Sequence, residues 1–482
     1  MKLYTETEQY KLYEGSMLDM LDVIPENSID AIVTDPPYEL NFMNKGWDRS
    51  GIAFQKETWE KCLKVLKPGG YLLSFGGSRT FHRIACAIED AGFEIRDTVM
   101  WLYGSGFPKS MNIGLSIDKK LGYESTIGDV KLGHEEFVGR TTDGHMRFEN
   151  GMDGFDRPWM HDDKKREEYH YQKVPTSEEA KIWDGWGTAL KPAYESITVA
   201  RKPCEGSTTD NVLKYGVGGI NIDECRVPAN PGEYDIRHYT NEDCFQNLKP
   251  KESKFQVKPQ PNGRFPANVI LTYNDSDVDE VCGGFPNSGS GNGGTPYNYS
   301  GREYNNKDTS MFNGDKPQAC SNYNDNGSAA RYFYCAKASR LDRDDGLCGF
   351  RLQKVNDGRQ TTIDNAYQRC ETLRFNNHPC VKPTSLMQYL VRLISPKGST
   401  ILDPFNGSGS TGKAVMFENR SRNANYKYIG IDLSEEYLQI SKARIDYAMV
   451  ADMTIDETGK VKLDKQDEAG KSKPKQFNLF EI

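Results

Sequence analysis

Two short runs of residues carry most of the chemistry legible in this chain. Asp35-Pro36-Pro37-Tyr38 sets a carboxylate and a phenol at the end of an apolar stretch, Asp30-Ala31-Ile32-Val33-Thr34, which reads as a buried strand ending at a cleft. Two prolines stiffen the turn that follows. Far downstream, Gly407-Ser408-Gly409-Ser410-Thr411-Gly412 has the GxGxxG spacing, placed after the strand-like Ile401-Leu402-Asp403-Pro404-Phe405 and before a helix. Asp432 sits twenty residues past Gly412, at the end of the next strand. Glycines in this position let the backbone approach a ligand, and the acid accepts hydrogen bonds from ribose hydroxyls. An NAD-dependent oxidoreductase is one class of enzyme this pattern admits.

The elements that must position these runs alternate between strand and helix. Residues 31–34 form a strand, 54–66 carry helical spacing, and Pro68-Gly69-Gly70 turns the chain into a strand at 71–75. A helix over 80–91 ends at Gly92, and Thr98-Val99-Met100-Trp101-Leu102 is again strand. That rhythm predicts a parallel sheet with covering helices. From about 120 to 182 the sequence is charged, with the run Asp162-Asp163-Lys164-Lys165-Arg166-Glu167-Glu168 reading as a solvated face or mobile loop. Order resumes at Gly185 and leads into a strand over 196–200. Residues 227–375 are rich in Asn, Gly, Ser, Tyr and Asp, with strand-like islands at 268–273 and 331–336. Amides, Arg and interleaved aromatics suit base edges, which need paired donors and acceptors; a plain structural insertion is the competing reading. Helix at 385–394, strand at 400–405, helix at 412–417 and strand at 428–433 complete the pattern, with Ser434 as an N-cap ahead of Glu435 and Glu436.

With 482 residues the chain exceeds one ordinary domain. Mean hydropathy is −0.72, no apolar run approaches membrane-spanning length, and the N-terminus, Met1-Lys2-Leu3-Tyr4-Thr5-Glu6, has no apolar stretch of the secretory kind. Eleven cysteines are scattered without regular spacing and without a CxxC pair, which favours reduced thiols and a cytoplasmic location. Cys335, Cys348, Cys370 and Cys380 form the one grouping in which a zinc site could be sought. A net charge of −8 argues against a nucleic-acid partner only at the level of the whole surface, because sixty-one Lys and Arg residues can segregate to one cleft.

Asp35-Pro36-Pro37-Tyr38 and Asp403-Pro404-Phe405 with its glycines resemble the paired motifs of DNA amino-methyltransferases, the N6-adenine and N4-cytosine methylases. The target-base motif comes first and the cofactor motif last, which is the permuted arrangement of the family's β group. The resemblance covers roughly 1–115, 183–226 and 375–447. It implies a circularly permuted, Rossmann-like α/β fold that binds S-adenosylmethionine. It counts against the oxidoreductase, since only a short polar tail follows Arg444 and the missing strands must come from the N-terminal third.

Further residue roles follow from the same resemblance. Asp35, Pro36, Pro37 and Tyr38 would be catalytic. An aromatic amine is a weak nucleophile, so Asp35 and the Pro36 carbonyl would accept its hydrogen bonds and draw its lone pair out of the ring. Tyr38 would stack on the extruded base, a contact worth about 1–3 kcal/mol. Asp403, Phe405, Gly407, Gly409, Thr411 and Asp432 would hold the cofactor. Asn377-His378-Pro379-Cys380-Val381-Lys382-Pro383 resembles the segment that packs on it, with Cys380 where the family usually has Thr, and Lys382 would approach the methionine carboxylate. Ser16 stands where members often carry an Asp toward the adenine amino group. Phe75-Gly76-Gly77 and Ala189–Glu195 resemble walls of the base pocket, with Lys191 a base-pocket or phosphate contact.

The division expected is catalytic sequence over 1–118, 183–226 and 375–450, a mobile insertion over 119–182, a target-recognition domain over 227–374, and a flexible tail over 451–482. An Asp in the first motif position leans toward adenine, so the activity implied is site-specific DNA adenine methylation of the bacterial or phage restriction-modification type. N4-cytosine methylation and a DNA-binding protein without catalysis are the alternatives. Double-stranded DNA is the expected partner, with a second copy of the chain as a further candidate and no membrane. The C-terminal Gln476-Phe477-Asn478-Leu479-Phe480 resembles peptides that bind the replication sliding clamp.

Overall fold

The computed structural model describes residues 2–40, 46–103, 110–124, 126–131, 171–226, 265–272, 287–288, 327–328, 340–356, 371–451, 453–455 and 461–463. Nine strands form the central sheet: β1 (Lys2–Glu6), β2 (Tyr10–Glu14), β3 (Ile29–Thr34), β4 (Leu66–Gly76), β5 (Glu94–Tyr103), β6 (Tyr194–Arg201), β7 (Val269–Thr272), β8 (Thr400–Asp403) and β9 (Lys427–Asp432). Their order across the sheet is β1-β2-β9-β8-β3-β4-β6-β5-β7. Strands β2, β9, β8, β3 and β4 run parallel, as the α/β rhythm predicts. The sheet is not parallel throughout: β6 pairs antiparallel with both β4 and β5, and β1 pairs antiparallel with β2.

Period-two alternation sorts the strand side chains onto two faces. Ala31, Val33, Leu73 and Phe75 pack under α5 (Thr384–Ile394), α6 (Ser410–Arg422) and α7 (Glu435–Val450). Ile32, Leu72, Leu402 and Ile431 face α1 (Met17–Leu21), α2 (Lys56–Val65) and α3 (Phe81–Asp90). Both faces are covered, which explains why β3 reads as an unbroken apolar run. Ser434 accepts from the Tyr437 N–H and caps α7, as the sequence predicts.

Several boundaries move. Pro68-Gly69-Gly70 lies inside β4 as an irregularity in its pairing with β3 instead of preceding the strand. The Asn211 amide donates to the Pro68 carbonyl at 2.9 Å and fills the space where a Gly69 Cβ would stand. The expected mobile insertion over 119–182 has ordered ends: Thr126–Lys131 pairs with Tyr171–Val174, and buried Asp118 at the end of α4 (Ile113–Leu121) accepts from Thr176 and Ser177. The expected recognition domain, 227–374, gives β7 to the central sheet and a short helix, Arg340–Asp344, whose Asp342 is bonded to α5, α6 and α7. Its island at 331–336, the charge run at 162–168 and the peptide at 476–482 lie outside the described residues. No helix among the described residues is long and apolar enough to cross a membrane.

Candidate active site

Strands β3 and β8 are neighbours in parallel register, Ile401 beside Ala31 and Leu402 beside Ile32, so both open onto the same edge of the sheet. There Thr34 donates its hydroxyl to Asp403 Oδ1 at 2.7 Å, and Thr411 donates to Asp403 Oδ2 at 2.7 Å. The Phe405 N–H adds a third bond at 3.1 Å. One buried carboxylate therefore ties the residue preceding Asp35 to the glycine loop. Burial pushes the Asp403 carboxyl up to about 7, and the three donors work against that by favouring its ionised form. Asp403, expected at the cofactor, thus spends most of its acceptor capacity joining the two motifs.

The loop itself is held by Asp432, whose Oδ2 accepts from the Gly407 N–H at 2.7 Å and whose Oδ1 accepts from the Ser434 N–H at 2.9 Å. Burial raises this carboxyl to about 6. Gly407 has a φ of 50°, and a Cβ on it would stand 2.9 Å from His378 Nε2. The His378 ring meets Tyr437 edge-on at 4.6 Å, and burial drives the imidazole down to about 3, so it is neutral at ordinary pH.

The first motif is built around a buried cation. Lys382 Nζ lies 2.6 Å from Asp35 Oδ2 and 3.4 Å from Glu195 Oε2, and the Tyr38 hydroxyl donates to Glu195 Oε2 at 2.7 Å. The ammonium also sits 5.2 Å from the Tyr38 ring centre and 4.9 Å from that of Phe75. Lys382, expected at the cofactor's carboxylate, pairs in this structure with Asp35 and Glu195. Asp48 fixes the loop beyond Tyr38 by accepting from the Glu39 and Leu40 N–H groups at 2.8 and 3.0 Å. Gly77 leaves room for the Tyr38 ring, since a Cβ there would meet its Cδ2 at 3.0 Å.

Asp35 Oδ1, Asn377 Oδ1 and His378 Nδ1 are buried here without a hydrogen-bond partner among the described residues. Buried polar atoms are nearly always paired, so their concentration beside a glycine cradle suits a polar ligand that completes the site.

The structure thus brings together Asp35, Pro36, Pro37, Tyr38, His378, Lys382, Asp403, Gly407, Gly409, Thr411 and Asp432. It does not bring Ser16 or Lys191 into the same network. The Ser16 hydroxyl accepts from the Leu18 N–H and caps α1, and Lys191 is exposed on the segment entering β6. Phe405 is half-buried against the core on the α1–α3 face. Among the described residues no cluster of three His, Cys, Asp or Glu side chains is placed to hold a metal; Cys335 and Cys370 lie outside them.

Two sets of residues escaped the sequence reading. Glu195 was visible only as the end of a wall segment, although a carboxylate opening an otherwise apolar strand was a usable signal. Lys413 and Arg444, buried under the glycine loop, were given no role, because a cation in a helix carries no local sign of burial. Arg444 donates to the Ser408 carbonyl at 2.7 Å and to the Asp342 carbonyl at 3.1 Å, and Lys413 binds Asp342 and Asp345 at 2.8 and 2.7 Å.

A glycine loop at the carboxyl edge of a mainly parallel sheet, at the point where the chain's two ends interleave, defines a nucleotide-cofactor enzyme of the Rossmann-like class. The sequence narrows this further: the profile of the DNA methylase family matches residues 29–443, and the chain belongs to that family. The oxidoreductase alternative is set aside by that match. The chain is 37% identical over 90 residues to the type II methyltransferase M.BglII of Bacillus subtilis, 18% of this chain and 22% of that protein. It is 34% identical over 88 residues to the DNA adenine methyltransferase YhdJ of Escherichia coli (strain K12), 18% of this chain and 27% of that protein. The matched stretches therefore span about a quarter of each relative's length. Against the solved structure of PvuII DNA methyltransferase (cytosine-N4-specific) the TM-score is 0.35 at 13% identity, over 92% of this chain and 90% of that one.

Proposed function

We propose that this protein transfers a methyl group from S-adenosylmethionine to the exocyclic N6 of adenine in double-stranded DNA. The observation that carries the reading is the asymmetry of Asp35. Its Oδ2 is held by Lys382 at 2.6 Å, while its Oδ1 is buried with no hydrogen-bond partner among the described residues. A fixed carboxylate with one open acceptor is what an amine nucleophile requires. Asp35 Oδ1 would accept one amine hydrogen and the Pro36 carbonyl the other, which localises the nitrogen lone pair toward its electrophile. Tyr38, its hydroxyl anchored on Glu195, would offer a ring face to a base swung out of the duplex.

S-adenosylmethionine, when bound, supplies a methyl group on a positively charged sulfur. Gly407, Gly409 and Thr411 would line its cradle, Asp432 would face its ribose, and His378 would pack against it. The Thr34–Asp403–Thr411 link then holds the acceptor carboxylate at a set distance from that cradle. The carboxylate at position 35 favours adenine over cytosine, and the E. coli relative is a DNA adenine methyltransferase. The reading extends to the C-terminal peptide at 476–480 as a tethered ligand for the sliding clamp.

The test is to express the protein in a methylation-free bacterial host and to digest the host DNA to nucleosides for mass spectrometry, with Asp35→Ala alongside. N6-methyladenine in the wild type and none in the variant is the expected result. N4-methylcytosine would keep the mechanism and reverse the base. Unmodified DNA from well-expressed wild-type protein would overturn the reading.

A further inference from the structure

We propose that Lys382 and Glu195 are positioning residues for the Asp35 acceptor: Lys382 fixes the Asp35 carboxylate, and Glu195 restrains Lys382 while anchoring Tyr38. This rests on the methyl-transfer reading and assigns Lys382 to the target-base motif in place of the cofactor's carboxylate.

The geometry gives three reasons. Lys382 is almost fully buried, its side chain 7% exposed, and the carboxylates within 4 Å of it among the described residues are those of Asp35 at 2.6 Å and Glu195 at 3.4 Å. An ammonium committed to two carboxylates has little charge to offer a third. Second, Lys382 donates to Oδ2 of Asp35, so it fixes the carboxylate's rotation and leaves Oδ1 without a partner among the described residues. Third, Glu195 Oε2 lies within reach of both Lys382 and the Tyr38 hydroxyl, so one carboxylate fixes the ring and the cation together. The elements concerned come from three distant parts of the chain, the turn after β3, the start of β6 and the segment before α5.

Charge accounting on Asp35 separates the roles. Burial raises its carboxyl above the ordinary range, Lys382 pulls it down and Glu195 pushes it up. Among the described residues the other ionisable groups that face this cluster are Tyr38, Tyr103, His378, Cys380, Asp403 and Asp48. The acceptor works only when ionised. Removing the Lys382 charge therefore moves the acid limb of activity to higher pH, and removing the Glu195 charge moves it to lower pH. A residue that merely supports the fold would lower activity without moving the limb in either direction.

The experiment measures single-turnover methylation of a short duplex against pH at saturating DNA, with KM for S-adenosylmethionine taken at each pH. Wild type, Lys382→Met, Lys382→Arg and Glu195→Gln are compared, and a folded circular dichroism spectrum is required of each. The expected result is an acid limb about one pH unit higher in Lys382→Met and displaced the opposite way in Glu195→Gln. Lys382→Arg keeps the wild-type limb, and cofactor KM stays within about twofold throughout. If Lys382→Met fails to fold, Glu195→Gln alone decides, since its amide still accepts from Tyr38. Unmoved limbs, or a tenfold rise in cofactor KM in Lys382→Met, would overturn the proposal while wild-type activity upholds the methyl-transfer reading. An inactive wild type would overturn both.

Discussion

Asp342→Ala tests whether the segment returning from residues 227–339 is clamped to the glycine loop. Two buried cations converge on Asp342. Lys413 is 1% exposed and donates to its Oδ1 at 2.8 Å and its carbonyl at 3.0 Å. Arg444 is fully buried and donates to that carbonyl at 3.1 Å, with its guanidinium 3.9 Å from Oδ1. The Thr384 hydroxyl and N–H, at the start of α5, are also donated to the same carboxylate. Removing one partner of a buried ion pair costs about 3–5 kcal/mol, because the other charge is left uncompensated. Asp345 still holds Lys413 at 2.7 Å, which places the cost near the lower end, about 3 kcal/mol. That is a large share of a typical stability of about 5–15 kcal/mol. The pH dependence carries a sign as well. Burial alone would raise the Asp342 carboxyl, but Lys413 and Arg444 hold it below its ordinary 3.8. A depressed carboxyl lends stability above its unfolded pKa and loses it as pH falls through the folded value. Asp342→Ala should therefore lower the urea midpoint at neutral pH and flatten the loss of stability below about pH 4. Glu60→Ala, which breaks the exposed pair with Lys56, is the control and should shift stability by under about 1 kcal/mol. Equal midpoints for the two variants at neutral pH would refute the clamp.

Two further outcomes follow from the same geometry. Gly407→Ala forces a side chain onto a φ of 50° and toward His378 Nε2 at 2.9 Å, so calorimetry should show S-adenosylmethionine binding weakened about tenfold, from about 1–2 kcal/mol of strain; unchanged affinity would count against the cradle. Deleting residues 476–482 should abolish binding to purified sliding clamp in a pull-down while leaving methylation of short duplexes intact, and retained clamp binding would dispose of the docking peptide.

Which parts of this molecule could be read in advance follows from the range of the physics involved. Asp35-Pro36-Pro37-Tyr38 and the GxGxxG loop were legible because each depends on local backbone conformation: prolines fix a turn, and Gly407 and Gly409 adopt left-handed φ values that other residues resist. Burial on both sheet faces made β3 an unbroken apolar run, so its strand character was also local. The antiparallel insertion of β6 between β4 and β5 was not legible, because pairing partners are chosen across the sheet and the strand's composition is the same either way. The pairing of Lys382 with Asp35 and Glu195 was not legible for a related reason: they lie 347 and 187 residues away in sequence. Short polar side chains such as Ser16 give an ambiguous signal, since a hydroxyl that could meet a ligand is equally good at capping α1.

The order of the motifs along the chain is immaterial to the site they build. What the chemistry needs is that the strand before Asp35 and the strand before the glycine loop lie side by side and parallel, and the pairing of Ala31 with Ile401 supplies that from opposite ends of the sequence. Closing a long loop costs only slightly more than closing a moderate one, so the stretch between the motifs can be large without loosening them, provided its ends are secured. Its return is secured at Asp342, on the same Arg444 that holds the Ser408 carbonyl in the glycine loop. Arg444 thus joins the Asp342 backbone to the cofactor loop through a buried contact that Asp342→Ala leaves in place, while the substitution removes the carboxylate that Lys413 and Thr384 share.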